Sequence, residues 1–269
     1  MSKSKIEWTT ATWNFSTGCT HYSPECANCY AEVLTKRLAK LQPQKYGKGF
    51  SEVVTHEASL SNPYNWKKGQ VVFVNSMSDT FHKDIPQEFR HKAFKVMNET
   101  PRHVYQVLTK RDNILKEEQD SIEWSDNIWM GISVGSKASV RKIDVLRNSK
   151  AKHKFLSVEP LIEDLGSDLN LEGIHWVIVG GESGRSKGIR KMELGWVMNI
   201  KEACDRQNIP FFFKQWGHKS FNPNPLDPTI QKDHQDYAKG GCQLNGIIYH
   251  ENPCFDQLRH MNNLDMKVA

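Results

Sequence analysis

Seven short apolar runs, separated by longer polar and amphipathic segments, limit the possible folds of this chain more than any other feature of its sequence. The runs are rich in β-branched and aromatic residues and do not alternate with polar ones, which is typical of strands buried on both faces of a parallel sheet. Their spacing is that of a βα unit. They are TWNF (12–15), VVFVN (71–75), HVYQVL (103–108), IWMGISV (128–134), KFLSV (154–158), HWVIVG (175–180) and PFFFK (210–214).

Three segments between the runs carry the signals of helices. Residues 86–98 begin with a proline, which suits a first helical turn, and residues 194–205 are amphipathic. Residues 31–41 have apolar side chains close to helical spacing, at Val33, Leu34, Leu38 and Leu41. The alternation predicts an α/β fold, a full or partial parallel (β/α) barrel over residues 1–216, with a doubly wound open sheet as the alternative.

Residues 217–269 have a different character. Prolines follow Asn222, Asn224 and Asp227, and few segments are periodic. Such punctuation marks loops and turns. We therefore predict an irregular C-terminal extension packed on the barrel, and not an independent domain.

A polar cluster follows six of the seven runs. The carboxyl ends of the strands of a β/α barrel converge on one face, where active sites lie. A single polar strand end is compatible with a turn or a helix cap, whereas six in succession indicate one shared site. The clusters are at residues 75–79, 109–111, 133–136, 157–160, 180–183 and 214–216.

Three of the six cysteines, Cys19, Cys26 and Cys29, crowd into eleven residues directly after the first predicted strand. Three thiolates are one fewer than a closed tetrahedral zinc site or a fully cysteine-ligated iron–sulfur cluster needs. Zinc with His21 as fourth ligand, a Cys-x2-Cys redox pair and unligated cysteines are the alternatives. The position of the motif at the mouth of a barrel favours a [4Fe–4S] cluster with one open iron. We expect structural roles for Cys204, Cys242 and Cys254.

The net charge of +5 is compatible with a nucleic-acid partner and does not demand one. No apolar run is long enough to span a membrane, and the N-terminus lacks the apolar stretch of a secretory signal, so we expect a cytoplasmic protein. The sequence contains two basic stretches, and the simplest interpretation of each is a solvated surface. They are Arg141, Lys142, Arg147, Lys150, Lys152 and Lys154, and then Arg185, Lys187, Arg190 and Lys191.

The sequence resembles the radical S-adenosylmethionine (SAM) superfamily, in which a three-cysteine loop follows the first barrel strand. It is more closely similar to a phage-associated branch of that superfamily, over residues 6–217 and again near 240–253. The matching segments are IEWTTATWNFSTGC, CANCYAEVL, VFVNSMSDTFH, YQVLTKR, GISVGS, FLSVEPL, VIVGGESG and FFFKQWG.

The chain departs from the superfamily pattern in two places. Six residues separate Cys19 from Cys26, where three are usual. The Gly-Gly-Glu segment that binds the SAM amino group normally follows the second strand. Here Gly180, Gly181 and Glu182 follow the sixth strand, and residues 75–79 follow the second.

The resemblance implies a radical SAM-type barrel with a cluster loop at residues 18–30 and two cofactors, a [4Fe–4S] cluster and SAM. The reduced cluster would cleave SAM to methionine and a 5′-deoxyadenosyl radical that abstracts a substrate hydrogen. Cys19, Cys26 and Cys29 would hold the cluster. SAM would be bound by Tyr30, Ser76, Ser78, Asp79, Lys110, Arg111 and Ser133. Glu159, Glu182 and Lys214 would act in catalysis, and Gln215 and Trp216 would bind substrate.

The same resemblance implies a reductant such as flavodoxin or ferredoxin, and the host cytoplasm if the chain is phage-encoded. It suggests that the enzyme modifies or rearranges a nucleobase, for instance a hypermodified thymine in phage DNA, while peptide and metabolite substrates stay open. A different class of function is a zinc-stabilised nucleic-acid-binding protein without catalysis. That alternative predicts colourless protein that contains zinc and has no affinity for SAM.

Overall fold

The computed structural model describes residue 4 and residues 6–184, 188–224 and 239–253. Seven parallel strands form one sheet whose order follows the chain from β1 to β7. All seven strands predicted from the apolar runs are present, with ends within two residues of those expected. The strands are β1 (Ala11–Trp13), β2 (Val71–Val74), β3 (Val104–Thr109), β4 (Ile128–Ser133), β5 (His153–Val158), β6 (Trp176–Gly180) and β7 (Phe211–Gln215).

The sheet is curled into a half-barrel. A doubly wound sheet reverses its strand order part-way, so the uninterrupted order observed here excludes that alternative. β1 and β7 do not pair with each other among the described residues, and the barrel is therefore partial. Two short antiparallel pairs lie outside the main sheet, Ser16–Thr17 with Val54–Thr55 and Gln243–Leu244 with Ile247–Ile248.

The three predicted helices are present, as α1 (Tyr30–Leu41), α3 (Gln87–Glu99) and α6 (Leu194–Arg206). α1 departs from expectation in its packing, because only Ala31 and Thr35 are buried in it, while Val33 and Leu41 are 71% and 65% exposed. The helices of the described chain are α1 (Tyr30–Leu41), α2 (Pro43–Tyr46), α3 (Gln87–Glu99), α4 (Asp112–Glu118), α5 (Lys142–Arg147) and α6 (Leu194–Arg206). No helix of these ranges has the length and apolar character needed to cross a membrane.

Side chains of each strand alternate between two apolar clusters. In β2, Val72 and Val74 belong to the large cluster that includes buried residues of α3 and α6, while Phe73 belongs to a smaller cluster on the opposite, concave face. That smaller cluster is largely aromatic, and Trp8 packs in it with its ring 4.8 Å from Phe73. Aromatic side chains thus fill the base of the half-barrel and leave its upper end to polar strand ends.

The described part of the C-terminal extension packs along β7. The backbone N–H of Phe213 donates to the carbonyl of Tyr249 at 2.7 Å, and that of Glu251 donates to Phe211 at 3.2 Å. The His250 ring stacks on Phe212 with ring centroids 4.4 Å apart. Residues 249–251 therefore cover the outer edge of β7. The predictions for Asp227 and Cys254 fall outside the described residues.

His103 joins the starts of two neighbouring strands and gives a pH-dependent stability. Its Nδ1 accepts from the backbone N–H of Gln70 at 3.1 Å, so Nε2 carries the proton and donates to Pro63 at 3.1 Å. Burial lowers the pKa of His103 to about 4, whereas an unfolded histidine titrates near 6.5. Between those pH values the unfolded chain binds the extra proton, so stability falls as pH falls.

We expect urea titrations to give a free energy of unfolding about 2 kcal/mol lower at pH 5 than at pH 7 from this group alone. We expect a His103→Gln variant to be less stable than wild type at pH 7. Between pH 7 and pH 5 its free energy of unfolding should fall by about 2 kcal/mol less than that of wild type. Equal slopes for the two proteins between pH 5 and 7 would contradict the assignment.

Candidate functional site

A cavity of about 350 Å³ opens at the carboxyl ends of the strands. Its wall on one side is the loop that follows β1, and its wall on the other is a series of polar strand ends. Cys19, Cys26 and Cys29 all line it, together with Tyr30 at the start of α1. The structure therefore brings the three-cysteine motif and the strand ends to one site.

Nine of the polar side chains expected at this site also line the cavity. They come from the carboxyl ends of β2 to β7 and from the segments directly after these strands, so that residues far apart in the sequence share one wall. They are Ser76, Ser78, Asp79, Lys110, Ser133, Glu159, Glu182, Lys214 and Gln215.

Asp79 is held firmly by the ends of β2 and β3. Its Oδ1 accepts from Thr109 Oγ1 at 2.6 Å and from the backbone N–H of Phe81 at 2.9 Å, and its Oδ2 accepts from the N–H of Lys110 at 3.0 Å. The Lys110 ammonium donates to Ser133 Oγ at 3.3 Å. No carboxylate of the described residues lies within 4.0 Å of this ammonium. This part of the cavity thus presents the fixed Asp79 carboxylate, whose Oδ2 lies 4.0 Å from Arg111 Nε, and the Lys110 ammonium, which pairs with no carboxylate of the described residues.

The two serines after β2 fasten neighbouring segments. Ser78 Oγ donates to the carbonyl of Gly18 at 2.7 Å, and Ser76 Oγ donates to Asn14 Oδ1 at 3.2 Å. The Tyr30 hydroxyl donates to the carbonyl of Ser76 at 2.5 Å. Burial of that hydroxyl, followed by the nearby Cys29 and Glu159, raises the pKa of Tyr30, which stays neutral.

Glu159, Lys214 and Gln215 form a group beside β6. Lys214 Nζ donates to Glu159 Oε2 at 2.7 Å. Gly180 lies between the strand ends, and a Cβ there would come within 3.3 Å of the Glu159 carboxyl carbon and 3.5 Å of Gln215 Nε2. Glu159 Oε1 and Gln215 Oε1 are buried, and neither accepts a hydrogen bond from a described residue. The group therefore holds two unused acceptor oxygens.

Two residues expected at the site lie elsewhere. Trp216 is fully buried in the large core and donates from Nε1 to the carbonyl of Gln243 at 3.0 Å, so it has no surface for stacking on a substrate. Arg111 donates from Nη2 to Thr20 O at 2.9 Å and to Thr20 Oγ1 at 3.0 Å, and its guanidinium lies over the Tyr22 ring. Arg111 thus holds the residue next to Cys19 and does not line the cavity.

Glu182 is also occupied by the chain itself. Its Oε2 accepts from the backbone N–H of Arg190 at 2.8 Å and from Asn28 Nδ2 at 2.9 Å, and its Oε1 accepts from Arg190 Nη2. Burial alone would raise the pKa of Glu182, but these hydrogen bonds outweigh burial and lower it. Asn28 lies between Cys26 and Cys29, and Arg190 Nη1 also donates to the carbonyl of Pro24 at 2.9 Å, so both Glu182 and its partner Arg190 fasten the cysteine loop to the end of β6.

Glu25, which sequence reasoning missed, fastens the same loop to the end of β4. Its Oε1 accepts from Ser136 Oγ at 2.8 Å and from the N–H of Gly135 at 3.2 Å. Burial raises its pKa, but hydrogen bonds from Ser23, Ser136 and Ser139 bring it down to about 2. The one signal in the sequence was the position of Glu25 next to Cys26. A buried carboxylate costs free energy unless it is hydrogen-bonded, so a glutamate here indicates that such bonds exist.

Glu7, in the segment before β1, was missed as well. It lines the cavity with Oε1 3.5 Å from Lys239 Nζ, while Oε2 is buried without a hydrogen-bond partner. The stretch at residues 6–8 belongs to the resemblance described above, but nothing in its pattern predicted that it would reach the cavity.

Gly18 lets the chain enter the cysteine loop. Its φ of +84° is in the left-handed region, and a Cβ would overlap the carbonyl oxygen of Glu52. The next residue donates its N–H to the carbonyl of Phe50 at 2.7 Å, which fixes the direction in which Cys19 leaves the sheet. Any other residue at Gly18 would displace the first cysteine.

A family model described as "Protein of unknown function (DUF5131)" matches residues 3–253. The chain belongs to this family. No curated protein matches it, and neither does any solved structure.

Four of the six cations in the first basic stretch of this DUF5131 chain form ion pairs with neighbouring carboxylates. Arg141 pairs with Asp112 at 2.6 Å, Lys150 with Asp120 at 2.8 Å, and Lys152 with Asp126 at 2.5 Å. The remaining three, Arg147, Lys142 and Lys154, bond to Asp144 and to backbone carbonyls. This stretch is therefore a paired surface and offers few free cations for phosphate groups.

The cysteine loop offers three thiols, and a single metal ion and an iron–sulfur cluster place different demands on such a set of ligands. No three or more His, Cys, Asp or Glu side chains of the described ranges are grouped as one metal ion would need. His21 pairs with Glu32 at 3.2 Å and does not line the cavity that the cysteines share. Thiolates that ligate different irons of one cluster lie farther apart than the ligands of one ion. Three cavity-lining thiols are the number that an open-iron cluster needs and one fewer than a closed tetrahedral zinc site needs.

The environment of Cys19 does not by itself stabilise a thiolate. Burial, followed by the Asp79 carboxylate, raises the pKa of the Cys19 thiol to about 12, although Arg111 opposes this. A redox-active or nucleophilic cysteine needs a lowered pKa. Cys19 itself therefore lacks this feature, whereas the Cys-x2-Cys redox alternative concerns Cys26 and Cys29 and stays open.

Proposed function

We propose that this protein is a radical SAM enzyme in which Cys19, Cys26 and Cys29 hold a [4Fe–4S] cluster and the adjoining cavity binds SAM. The observation that carries the proposal is the convergence of the three thiols with the polar ends of six strands on one cavity. A loop that served only as a structural metal module would have no need of that cavity or of its unpaired polar groups.

The bound cofactors would supply an electron to cleave a carbon–sulfur bond of SAM and generate a radical that takes a hydrogen atom from substrate. The residues of the chain supply binding and orientation. Asp79 is placed to accept from an ammonium group, because its neighbours fix its carboxylate at the cavity wall. Lys110, held by Ser133, is placed to pair with a carboxylate.

Four buried oxygens of the cavity favour a ligand that is cationic or rich in N–H groups. They accept no hydrogen bond from the described residues and are Glu7 Oε2, Glu25 Oε2, Glu159 Oε1 and Gln215 Oε1. A buried acceptor without a donor costs about 1–3 kcal/mol, so a ligand that supplies donors would recover that energy. SAM carries an ammonium and a sulfonium, and its adenine amino group adds further donors.

For the substrate we propose a nucleobase, on the strength of the sequence resemblance. Glu159 and Lys214 form a carboxylate–ammonium pair on the cavity wall, and Gln215 lies beside it. Such a pair can accept from and donate to the polar edge of a base at the same time. The zinc-stabilised binding protein stays the alternative, although His21 points to Glu32 and not to a shared metal.

The test is anaerobic purification with iron and sulfide analysis, followed by reduction with dithionite in the presence of SAM. We expect about four irons per chain and formation of 5′-deoxyadenosine. Stoichiometric zinc, no iron after reconstitution and no SAM cleavage would support the zinc alternative instead. Tritium or deuterium transfer from a labelled modified thymine to 5′-deoxyadenosine, compared with a labelled peptide mixture, then tests the substrate class.

A further inference from the structure

The outer surface of α1 is unusually apolar for a surface exposed to water. Val33 is 71% exposed, Leu41 is 65% exposed and Leu34 is 37% exposed, and Tyr30 at the start of the helix is 49% exposed. Half of the large exposed hydrophobic side chains in the described chain thus lie on one helix of 12 residues. A patch of this kind marks a surface that binds something else.

Cations surround these apolar side chains. Lys36, Arg37 and Lys40 are exposed on the same helix, and none has a carboxylate of the described chain within 4.0 Å. In the first basic stretch, by contrast, four of the six cations are paired with carboxylates. We call Val33, Leu34, Arg37, Lys40 and Leu41 the α1 face. It combines an apolar centre with unneutralised positive charge, so its complement is an acidic surface with apolar side chains at its middle.

The α1 face lies beside the cysteine loop. Cys29 is the N-cap of α1, so the helix starts at the third cysteine of the motif. A second cavity runs between the helix and the loop, lined by Thr35 and Lys36 on one side and by Cys19 and Phe50 on the other. Cys19 lines both this cavity and the one formed by the strand ends. Val33 lies one helical turn after Cys29, and its backbone N–H donates to the Cys29 carbonyl at 3.4 Å, so a partner that binds this end of the α1 face lies close to the third cysteine of the motif.

We propose that the α1 face is the docking surface for an acidic protein that delivers single electrons to this site. The proposal rests on the proposed function, which consumes one electron for each SAM cleaved. One electron leaves the partner, whose cofactor is oxidised by one electron, and is accepted at the centre held by the three cysteines. No proton or chemical group moves in this step.

The composition of the α1 face favours a protein over a nucleic acid. Nucleic acids are held by phosphate contacts and by aromatic side chains that stack on bases, whereas Val33, Leu34 and Leu41 are aliphatic. Protein interfaces have an apolar centre and a polar rim. A second copy of this chain is disfavoured because a symmetric contact would bring Arg37 and Lys40 against their own counterparts.

The primary test is a binding titration of the full chain with flavodoxin and, separately, with a plant-type ferredoxin, by calorimetry at low and high salt. Cluster-free and cluster-loaded protein are both used, so that binding is measured apart from turnover. We expect Arg37→Glu/Lys40→Glu to weaken the Kd for the acidic donor by about tenfold at low salt and to reduce its salt dependence. The matched control is Lys67→Glu/Lys68→Glu, because these exposed lysines precede β2 at the opposite end of the sheet. That control should leave the Kd within about twofold of wild type.

Turnover gives the second readout. The variant should lose most of its donor-driven rate of 5′-deoxyadenosine formation and keep its dithionite-driven rate, because a small reductant needs no docking surface. Equal effects of the two double variants, or no binding of either donor by the wild-type chain, would overturn the docking proposal. So would loss of a wild-type dimer, or of duplex DNA binding, as the main effect of Arg37→Glu/Lys40→Glu. Failure of the dithionite-driven reaction in wild type would instead overturn the proposed function.

Discussion

Cys26→Ala protein, reconstituted without oxygen, is expected to retain less than one iron per chain and to form no detectable 5′-deoxyadenosine, against about four irons in wild type. Cys26 is the most buried cysteine of the loop, at 9% exposed, and it lines the cavity at the carboxyl ends of the strands. Removing it leaves two thiolates, one fewer than the proposed cluster needs. The substitution is small, so circular dichroism should show an intact fold.

The matched control for this prediction is Cys204→Ala. Cys204 is fully buried in α6 within the large core and does not line the cavity, so its loss costs packing energy of about 1 kcal/mol and no metal ligand. We expect normal iron content in this variant. Four irons in Cys26→Ala, or equal iron loss in both variants, would show that the loop is not the metal site.

The strands could be read from the sequence because their signal is local. Each apolar run is short, rich in β-branched or aromatic residues and closed by a polar cluster, and a parallel sheet buries both faces of such a run. β4, for example, is buried at all six positions. The strand order did not follow from this pattern alone, because a doubly wound sheet has the same alternation of strands and helices, and the observed order decides between the two.

The role of a buried or exposed side chain could not be read in the same way. The apolar spacing of residues 31–41 predicted a helix correctly, yet Val33 and Leu41 face away from the core. Hydrophobic periodicity shows which residues of a helix share one face, but it does not show whether another part of the protein covers that face. Trp216 differs from expectation in the opposite way, because it was expected to face a substrate and is buried. A tryptophan at a strand end suits either a stacking surface or a core position, and its contact with Phe213 decides for the core.

The contacts that secure the cysteine loop were not predictable because they join distant segments. Asn28 and Glu182 are 154 residues apart in sequence, and Glu25 and Ser136 are 111 apart. Glu182 was expected to face a substrate, and its position after β6 was correct. Its partner Arg190 belonged to a stretch read as a solvated surface, and nothing local linked the two. Long-range ion pairs of this kind need the fold before they can be assigned.

The ion pair between Arg190 and Glu182 should be the most costly of these contacts to break. We expect Arg190→Ala to lower the free energy of unfolding of the cluster-free chain by about 3 kcal/mol at pH 7. The cause is Glu182, which is 2% exposed and would be left ionised with Asn28 as its remaining side-chain donor. Arg190 itself is 32% exposed in its side chain, which keeps the expected cost at the lower end of the range for buried pairs.

The sign of the pH dependence tests this cause directly. The folded state lowers the pKa of Glu182, so its stabilisation is complete above the ordinary glutamate pKa and is lost as pH falls through the folded pKa. Without Arg190 the pKa of Glu182 rises, and the carboxyl becomes protonated at milder acidity. The difference in stability between wild type and Arg190→Ala should therefore shrink from pH 7 to pH 4, as measured by urea unfolding.

Two further variants separate the buried charge from lost packing and from surface charge. Lys191→Ala removes the neighbouring cation, whose pair with Glu193 is about half exposed, and should cost less than about 0.5 kcal/mol. Arg190→Ala/Glu182→Gln removes the stranded charge and should recover a large part of the stability lost in Arg190→Ala. Because Asn28 stands between Cys26 and Cys29, the proposed cluster in Arg190→Ala should also release its iron faster to a chelator under conditions where the chain stays folded. Unchanged release would mean that the ion pair stabilises the barrel and does not position the cysteine loop.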